Sequence, residues 1–346
     1  MEEARSGERA RQHSAARAPG PAPSANGNGQ VAPRAGGPFE PPHTANGGGP
    51  VMRAILAGLA DKMRPDSALW RRAMVAGVAF GPDPWVRYSP PVFGLAFAAA
   101  LPRQRKVVAD NLRQVLGERD RFTEARQVAA VFSCYASCLT EALLLSSGRG
   151  YEIASSAQGV ENWHDCSADG RGVIIATAHT AGWEVAGPVL RGVHAHDVVV
   201  VMRRERDEGA RLIHDEARQR AGVKVVHIGD DPMDALTLLG HLRRRAVVAM
   251  QVDRVPPGVR SRTVSLFGRP WRVPEGPLAL AAASGAPIMP VFTRRLGFMR
   301  YEAIATPPIR LQRRPDTGAL DAAAQRIAAE MERFVRANPT QWFHFG

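Results

Sequence analysis

Apolar residues in the segment from about residue 100 to residue 146 recur every three or four positions, which is typical of amphipathic helices. One helical stripe carries Val107, Val108, Leu112, Val115 and Leu116. A second helix is predicted to begin at Thr123 as its N-cap and to turn Val128, Val131, Phe132, Tyr135, Leu139 and Leu143 inward. The pattern therefore predicts a helical region ahead of the rest of the fold.

From about residue 172 the pattern changes to short β-branched runs that alternate with helical segments. The predicted strands are Val173–Ala178, Val198–Met202, Val223–Ile228, Val247–Val252, Thr263–Phe267 and Ile288–Thr293. The predicted helices are Glu184–Arg191, Glu208–Ala221, Met233–Arg245, Leu278–Ser284 and Leu320–Ala337. This alternation predicts an α/β fold, with a mixed sheet flanked by helices and a helical N-terminal extension.

The first fifty residues follow neither pattern. They contain 9 Gly, 8 Pro and almost no large apolar side chain, too little to offset the entropy of ordering. We therefore predict a disordered tail over 1–50, a helical membrane-adjacent region over 51–150 and an α/β core over 151–346.

Charge separates these regions further. The whole chain of 346 residues has a formal net charge of +12, but the tail holds five Arg and four Glu, so +11 belongs to the body. A basic body indicates an anionic surface or substrate. No zinc-finger, RRM or helix-turn-helix signature accompanies the charge, so we expect no nucleic-acid partner. Three cysteines cannot form a disulfide framework, and no metal-ligand spacing is evident beyond His194-x-His196, which we expect on a surface loop.

An apolar run from Pro90 to Pro102 follows Trp85, Arg87 and Tyr88. It is too short to span a bilayer. Two interpretations remain open at this stage: a helix that lies in a membrane interface, and a buried core helix.

The clearest candidate for chemistry follows the strand Val173–Ala178, where His179 precedes a small-residue turn and Glu184 opens a helix. Ligands bind at the carboxyl ends of strands in open α/β sheets. A spacing of five residues puts the two side chains about 140° apart on a continuous helix, so they converge only if His179 lies in a turn that Gly182 permits. A carboxylate beside an imidazole fixes its tautomer, and the free ring nitrogen then accepts a proton from an alcohol. A helix-capping histidine with a surface glutamate is the alternative.

The motif HTAGWE at His179–Glu184 resembles the H-x4-D/E box of glycerolipid acyltransferases, in the form typical of lipid A late acyltransferases and phosphatidylinositol mannoside acyltransferases. Further blocks resemble the same family in order and spacing. They are RKVVADNL from Arg105, VVVVMRRERDEGARLIHDEARQRAGVKVVHI, MQVDR, VSLFGRPWRVPEGPLALAAASGAPIMPVF and the final NPTQWFHFG. The resemblance covers nearly all of residues 100–346. This chain departs from it in Gly182, where the family has Asn.

The resemblance implies a glycerolipid-acyltransferase-like fold and transfer of a long acyl chain from an acyl thioester to a hydroxyl of a membrane glycolipid such as a lipid A precursor. His179 would be the general base and Glu184 its orienting partner. No cofactor is implied beyond acyl carrier protein or coenzyme A as the thioester co-substrate. The expected location is the cytoplasmic face of the inner membrane, peripheral or shallowly anchored on an anionic membrane surface.

Six further residues are candidates for substrate binding. Arg203 and Arg204 end a predicted strand and are suited to phosphate, and Asp253 and Arg254 close another strand at the same edge. Glu275 and Gly276 resemble an EGT block that binds substrate in broader glycerolipid acyltransferases, although Pro277 replaces Thr; an N-cap role is the alternative.

Two other functions stay open: a lysophospholipid acyltransferase, and a catalytically silent lipid-binding member of the fold. A serine hydrolase is excluded because no G-x-S-x-G elbow is present. The small residues Ala279–Ser284 predict an acyl-chain channel beside their helix; tight packing of these alanines on the sheet is the alternative.

Overall fold

The structure is a computed structural model that describes residues 68–193, 196–203, 223–229 and 233–346. The predicted tail over 1–50 and the predicted helix Glu208–Ala221 lie outside the described residues. Helices α1 (Ala68–Phe80), α2 (Asp83–Tyr88), α3 (Pro90–Ala100), α4 (Pro102–Leu116) and α5 (Arg121–Ser146) come first, and the first strand begins at Ala154. The division into domains stays a prediction.

The N-cap of α5 is Asp120, not Thr123. The Asp120 carboxylate accepts hydrogen bonds from the backbone N–H groups of Phe122 and Thr123, so the predicted cap was wrong by three residues. The same contacts lower the pKa of Asp120, with the Thr123 hydrogen bond as the main cause. Val128, Val131, Phe132 and Leu143 are buried as predicted, whereas Tyr135 is 40% exposed.

Seven described strands form one mixed sheet in the order β1-β9-β8-β2-β5-β3-β4. Their bounds are β1 Ala154–Gln158, β2 Val173–Thr177, β3 Val198–Arg203, β4 Lys224–Ile228, β5 Val247–Gln251, β8 Ile288–Gly297 and β9 Arg300–Ala305. All neighbours are parallel except β8 and β9, which are antiparallel. Strands β2 and β5 are central and almost wholly buried, as expected for β-branched runs between two layers of helices.

The predicted strand at Thr263–Phe267 does not join this sheet. It forms an antiparallel hairpin of β6 (Ser261–Leu266) and β7 (Arg269–Pro274). The two residues between the strands, Phe267 and Gly268, both have positive φ, as a type I′ turn requires. This two-residue turn pairs β6 with the strand that follows it in the chain and not with a strand of the main sheet.

Helices α6 (Val160–Ala168), α7 (Trp183–Val193), α8 (Met233–Arg243), α9 (Gly276–Ser284) and α10 (Thr317–Ala337) complete the described α/β part. The main core lies between β2, β5 and β8 on one side and α8, α9 and α10 on the other. The α/β fold with a mixed sheet, flanking helices and a helical N-terminal extension is thereby confirmed.

Among the described residues, one helix, α5, has the length and apolar composition of a membrane span. However, it buries Val128, Phe132 and the charged Glu141 against the rest of the protein. The Glu141 carboxylate accepts hydrogen bonds from Arg295 at 2.6 Å and from the Tyr301 hydroxyl at 2.6 Å. These contacts make α5 a core helix that joins the N-terminal helices to β8 and β9.

Helix α3 contains most of the apolar run Pro90–Pro102, which was predicted to be either an interfacial helix or a buried core helix. It buries one narrow face at Pro90, Gly94 and Ala98 and exposes Phe93 and other apolar side chains. A Cβ at Gly94 would lie 2.6 Å from the Phe132 carbonyl oxygen, so α3 and α5 touch backbone to backbone. The helix is therefore half buried, with an apolar face to solvent.

Candidate active site

The polypeptide turns sharply between the end of β2 and the start of α7. The Thr180 N–H donates to the Ala178 carbonyl at 2.7 Å, and Gly182 has a φ of +90°. A Cβ at Gly182 would lie 2.3 Å from Cδ1 of Tyr301. The turn thus needs glycine for both conformation and space. It places His179 ahead of the helix that begins at Trp183, as the sequence predicted.

His179 pairs with Asp253. Nδ1 of His179 lies 2.8 Å from Oδ1 of Asp253, and the His179 backbone N–H donates to Oδ2 at 3.3 Å. Strands β2 and β5 are parallel neighbours, so the residues that follow them meet at one sheet edge. The pairing partner of the imidazole Nδ1 is therefore Asp253, and not Glu184 as we expected from the H-x4-E spacing.

Asp253 is fully buried, yet it is held ionised. Burial by itself raises the pKa of this carboxyl, but the adjacent His179, its hydrogen bond, Arg254 and the indole of Trp342 together lower the pKa well below its ordinary value. An ionised carboxylate only accepts hydrogen bonds, so Nδ1–H of His179 is the donor to Asp253, and in the neutral imidazole the lone pair is on Nε2.

Residues 341–345 close over this pair. The Phe343 N–H donates to the His179 carbonyl at 2.7 Å, and Nη2 of Arg254 donates to the Phe343 carbonyl at 2.7 Å. The Trp342 indole N–H donates to Oδ2 of Asp253 at 3.1 Å. Asn111 of α4 donates to the His344 carbonyl at 2.8 Å. This segment is therefore tied to both strand ends and to the N-terminal helices.

An apolar cavity of about 110 Å³ opens beside His179. Helix α5 contributes Tyr135, Cys138 and Leu139; the turn contributes His179, Gly182, Trp183 and Glu184; Arg254, Phe343 and Phe345 complete the lining. The Tyr135 ring packs edge-on against Phe343 and Phe345, with centroids 5.3 and 5.1 Å apart. Glu184 thus shares the cavity with His179 even though it is not the partner of Nδ1.

Arg254 brings a positive charge to the same cavity. Its Nε is buried and has no hydrogen-bond partner among the described residues, while Nη2 is bonded to Phe343. A buried donor without an acceptor is costly. The guanidinium is therefore suited to an oxygen that carries negative charge in the occupied cavity.

Glu275 and Gly276 do not line this cavity. Arg203 is the last residue of β3, and Arg204 lies outside the described residues. Glu275 is at the N-cap position of α9 without a side-chain cap, and it pairs with Arg262 at 3.4 Å. Gly276 begins α9, where a Cβ would lie 3.0 Å from Cε of Met250. Substrate contacts at these four positions stay predictions.

The cavity does not lie beside Ala279–Ser284, where we expected the acyl-chain channel. Helix α9 turns Leu278, Leu280 and Ala281 into the main core. The cavity is formed against α5 and residues 343–345 instead. Within the described parts of the chain, no three His, Cys, Asp or Glu side chains are grouped so that they could hold a metal ion.

The sequence pattern of bacterial lipid A biosynthesis acyltransferases matches residues 69–346 of this chain. The match spans the N-terminal helices, the sheet and every residue of the described site. The chain belongs to this family. It is therefore an acyltransferase of lipid biosynthesis, as the motif at His179–Glu184 suggested.

Two curated relatives are phosphatidylinositol mannoside acyltransferases of Mycobacterium tuberculosis, from strains CDC 1551 / Oshkosh and ATCC 25618 / H37Rv. Each is 25% identical over 243 residues, which are 67% of this chain and 73% of the relative. Among solved structures, the 1-acyl-sn-glycerophosphate acyltransferase PlsC from Thermotoga maritima matches with a TM-score of 0.35 and 15% identity. That match covers 72% of this chain and 95% of PlsC.

Proposed function

We propose that this acyltransferase moves a long fatty acyl chain from an acyl thioester to a hydroxyl of a membrane glycolipid such as a lipid A precursor. The observation that carries the proposal is the His179–Asp253 pair, 2.8 Å apart, at an apolar cavity. The family and the mycobacterial relatives support a glycolipid acceptor, because the names of both refer to glycolipids.

In the proposed reaction, Nε2 of His179 accepts the proton of the acceptor hydroxyl as its oxygen attacks the thioester carbonyl. The bond from oxygen to the acyl carbon forms, and the tetrahedral oxyanion faces Arg254. Collapse breaks the carbon–sulfur bond, and the leaving thiolate takes the proton from the imidazolium. Asp253 stabilises the imidazolium throughout, as the carboxylate does in Ser-His-Asp triads.

Direct transfer is favoured over a covalent acyl-enzyme intermediate. Cys138 is the cysteine that lines the cavity, and burial is the main cause that raises the pKa of its thiol well above the ordinary value. A protonated thiol is a poor nucleophile. Glu184 shares the cavity and does not orient His179 through Nδ1, so we assign it to the hydroxyl groups of the acceptor.

The thioester donor is either an acyl carrier protein or coenzyme A, with no further cofactor. The apolar lining from Tyr135, Leu139 and Phe345 suits the first methylenes of the acyl chain, since each buried methylene contributes about 0.8 kcal/mol.

Peripheral attachment to an anionic membrane, on its cytoplasmic face, completes the proposal. Helices α1–α3 expose Phe80, Trp85, Tyr88, Val92, Phe93 and Leu95, which we call the apolar patch. The exposed residues Arg103 and Lys106 follow within the first turns of α4. Aromatic side chains beside basic ones are typical of proteins that lie in the headgroup region.

Mass spectrometry of membrane lipids from cells with the wild-type chain, with His179→Ala and without the protein tests the function. We expect one glycolipid to lose an acyl chain both in the deletion strain and in the His179→Ala strain. An acceptor that is a lysophospholipid would establish the alternative acyltransferase. Normal lipids with a folded His179→Ala variant would contradict acyl transfer at this site and favour a lipid-binding role.

Purified enzyme with acyl carrier protein thioesters and coenzyme A thioesters of matched chain length then identifies the donor. Loss of a general base lowers the rate by about 10²–10⁴-fold, so turnover with the accepted donor should fall by that factor in His179→Ala.

A further inference from the structure

The buried carboxylate of Asp253 has two oxygens with different tasks. Oδ1 faces Nδ1 of His179 at 2.8 Å. Oδ2 accepts the Trp342 indole N–H at 3.1 Å and the His179 backbone N–H at 3.3 Å. Two donors on Oδ2 restrict rotation of the carboxylate, so they help to determine where Oδ1 points.

Trp342 is itself held rigidly. It is 4% exposed, and it forms an isolated bridge with Thr180 in the turn that carries His179. Its ring packs against His344 with centroids 5.2 Å apart and against Trp271 with centroids 5.9 Å apart. The indole N–H is therefore a donor of fixed position, which is what a catalytic carboxylate needs for orientation.

We propose that Trp342 is a positioning residue for acyl transfer, whose indole N–H fixes the Asp253 carboxylate so that Oδ1 orients His179. This inference rests on the proposed function of His179 as general base. Phe343 also helps to position His179, because its backbone N–H donates a hydrogen bond to the His179 carbonyl.

Trp271 provides a matched control. It packs against the His344 ring, as Trp342 does, and against Trp342 itself, but its indole nitrogen is buried without a hydrogen-bond partner in the described chain. Trp342→Phe and Trp271→Phe therefore remove the same atoms from neighbouring places. Only the first removes a hydrogen bond to the carboxylate.

The experiment compares the pH dependence of kcat and kcat/KM for the wild-type chain and both variants. We expect Trp342→Phe to lower kcat by about tenfold with little change in KM, because the lost bond orients catalysis and does not bind substrate. The same change leaves more negative charge on Oδ1 and stabilises the His179 imidazolium. The acid limb of the profile should therefore move to higher pH by about half a unit.

Trp271→Phe should leave both the rate and the acid limb close to wild type. The proposal is overturned if the two variants behave alike, or if Trp342→Phe loses rate while its acid limb stays in place or moves to lower pH. A His179→Ala variant that keeps the wild-type rate would overturn the proposed function instead, so the two failures are distinguishable.

A measurement on the wild-type contact covers the case in which Trp342→Phe does not fold. We record the indole N–H resonances of the wild-type chain and of Asp253→Asn. One resonance, from the indole bonded to the Asp253 carboxylate, should lie downfield and should move upfield in Asp253→Asn. Absence of such a resonance overturns the proposal.

Discussion

Tyr301 occupies the space that a side chain at residue 182 would need: a Cβ at Gly182 would lie 2.3 Å from its Cδ1. The Tyr301 hydroxyl is in turn bonded to the buried Glu141 at 2.6 Å. The turn that carries His179 is thus shaped by a side chain of β9, which is itself held by α5.

Gly182→Ala should therefore destabilise the protein and distort the site. We expect a loss of about 2–4 kcal/mol from the free energy of unfolding, since positive φ and overpacking each cost 1 kcal/mol or more. Gly117→Ala is the control, because Gly117 has a φ of +78° with nothing within 4 Å of an added Cβ. Urea unfolding of both variants separates the steric clash with Tyr301 from the backbone strain of positive φ. Equal losses of unfolding free energy would contradict the role of Tyr301.

Asp253→Asn keeps the size of the side chain and removes its charge. The amide no longer stabilises the imidazolium, and its N–H₂ group favours the wrong tautomer of His179. We expect kcat to fall by about 10²–10⁴-fold. Steady-state kinetics of folded Asp253→Asn checks this, and near-normal turnover would contradict the role assigned to the His179–Asp253 pair.

Glu141→Gln should be strongly destabilising, because it leaves the Arg295 guanidinium without its buried partner. Breaking a buried ion pair costs about 3–5 kcal/mol. Glu330→Gln is the comparison: Glu330 pairs with Arg333, which is 72% exposed, and we expect a loss below about 1 kcal/mol. Thermal unfolding of the two variants measures the difference, and similar losses would contradict the role assigned to Glu141.

Stability should depend on pH through His344. Burial, together with the nearby charges of Arg254 and His179, lowers the pKa of this imidazole from 6.5 to about 4, although Asp253 acts in the opposite direction. Between these values the unfolded chain binds the proton and the folded protein does not. The free energy of unfolding should therefore fall as the pH drops from 6.5 to 4, by up to about 3 kcal/mol.

His344→Gln removes this titration. Denaturant unfolding at pH 7 and pH 4.5 should show a smaller acid loss in the variant than in the wild type. If both lose the same free energy, His344 is already protonated in the folded protein.

The apolar patch should hold the enzyme on vesicles. We expect the double variant Trp85→Ser, Phe93→Ser to bind anionic vesicles at least tenfold more weakly, since each buried aromatic side chain contributes about 1.5–3 kcal/mol. Val160→Ser with Leu236→Ser is the matched control, because these exposed residues lie outside the patch. Co-sedimentation at two salt concentrations measures both, and equal binding of the two double variants would place the contact elsewhere.

The sequence predicted the elements whose apolar period is strong. Strands β2 and β5 and helices α5 and α10 were predicted because their side chains face a core. Strand β1, with the sequence ASSAQ, is exposed along its whole length and carries no apolar alternation. It pairs with β9 through backbone hydrogen bonds and through polar contacts of Ser156 and Gln158 with Glu302, and neither leaves an apolar pattern in the sequence.

The sequence predicted the residues of the site that are close together along the chain, but not the contacts between distant segments. His179 and Glu184 are close in sequence, so their spacing could be analysed directly. Asp253 and Trp342 reach His179 only because β2 lies beside β5 and residues 341–345 fold back over the sheet edge. The position of Asp253 directly after a buried strand was the available signal, and it was interpreted as substrate binding. Nothing in the local sequence marks the indole of Trp342 as a donor to it.

Because Gly94 has no side chain, α3 packs directly on the backbone of α5, near the part of α5 that lines the cavity. Helix α3, which belongs to the apolar patch, touches the backbone of α5 at Phe132 and Ser133, and Ser133 donates to the Pro91 carbonyl at 3.1 Å. The cavity residues Tyr135 and Cys138 follow two and five residues later on the same rigid helix, a rise of about 3 and 8 Å. The contact between α3 and α5 and the residues that line the cavity are thus separated by little more than one turn of a single helix. In the proposed attachment, the surface that meets the lipid and the cavity that takes the acyl chain are therefore coupled through one rigid element.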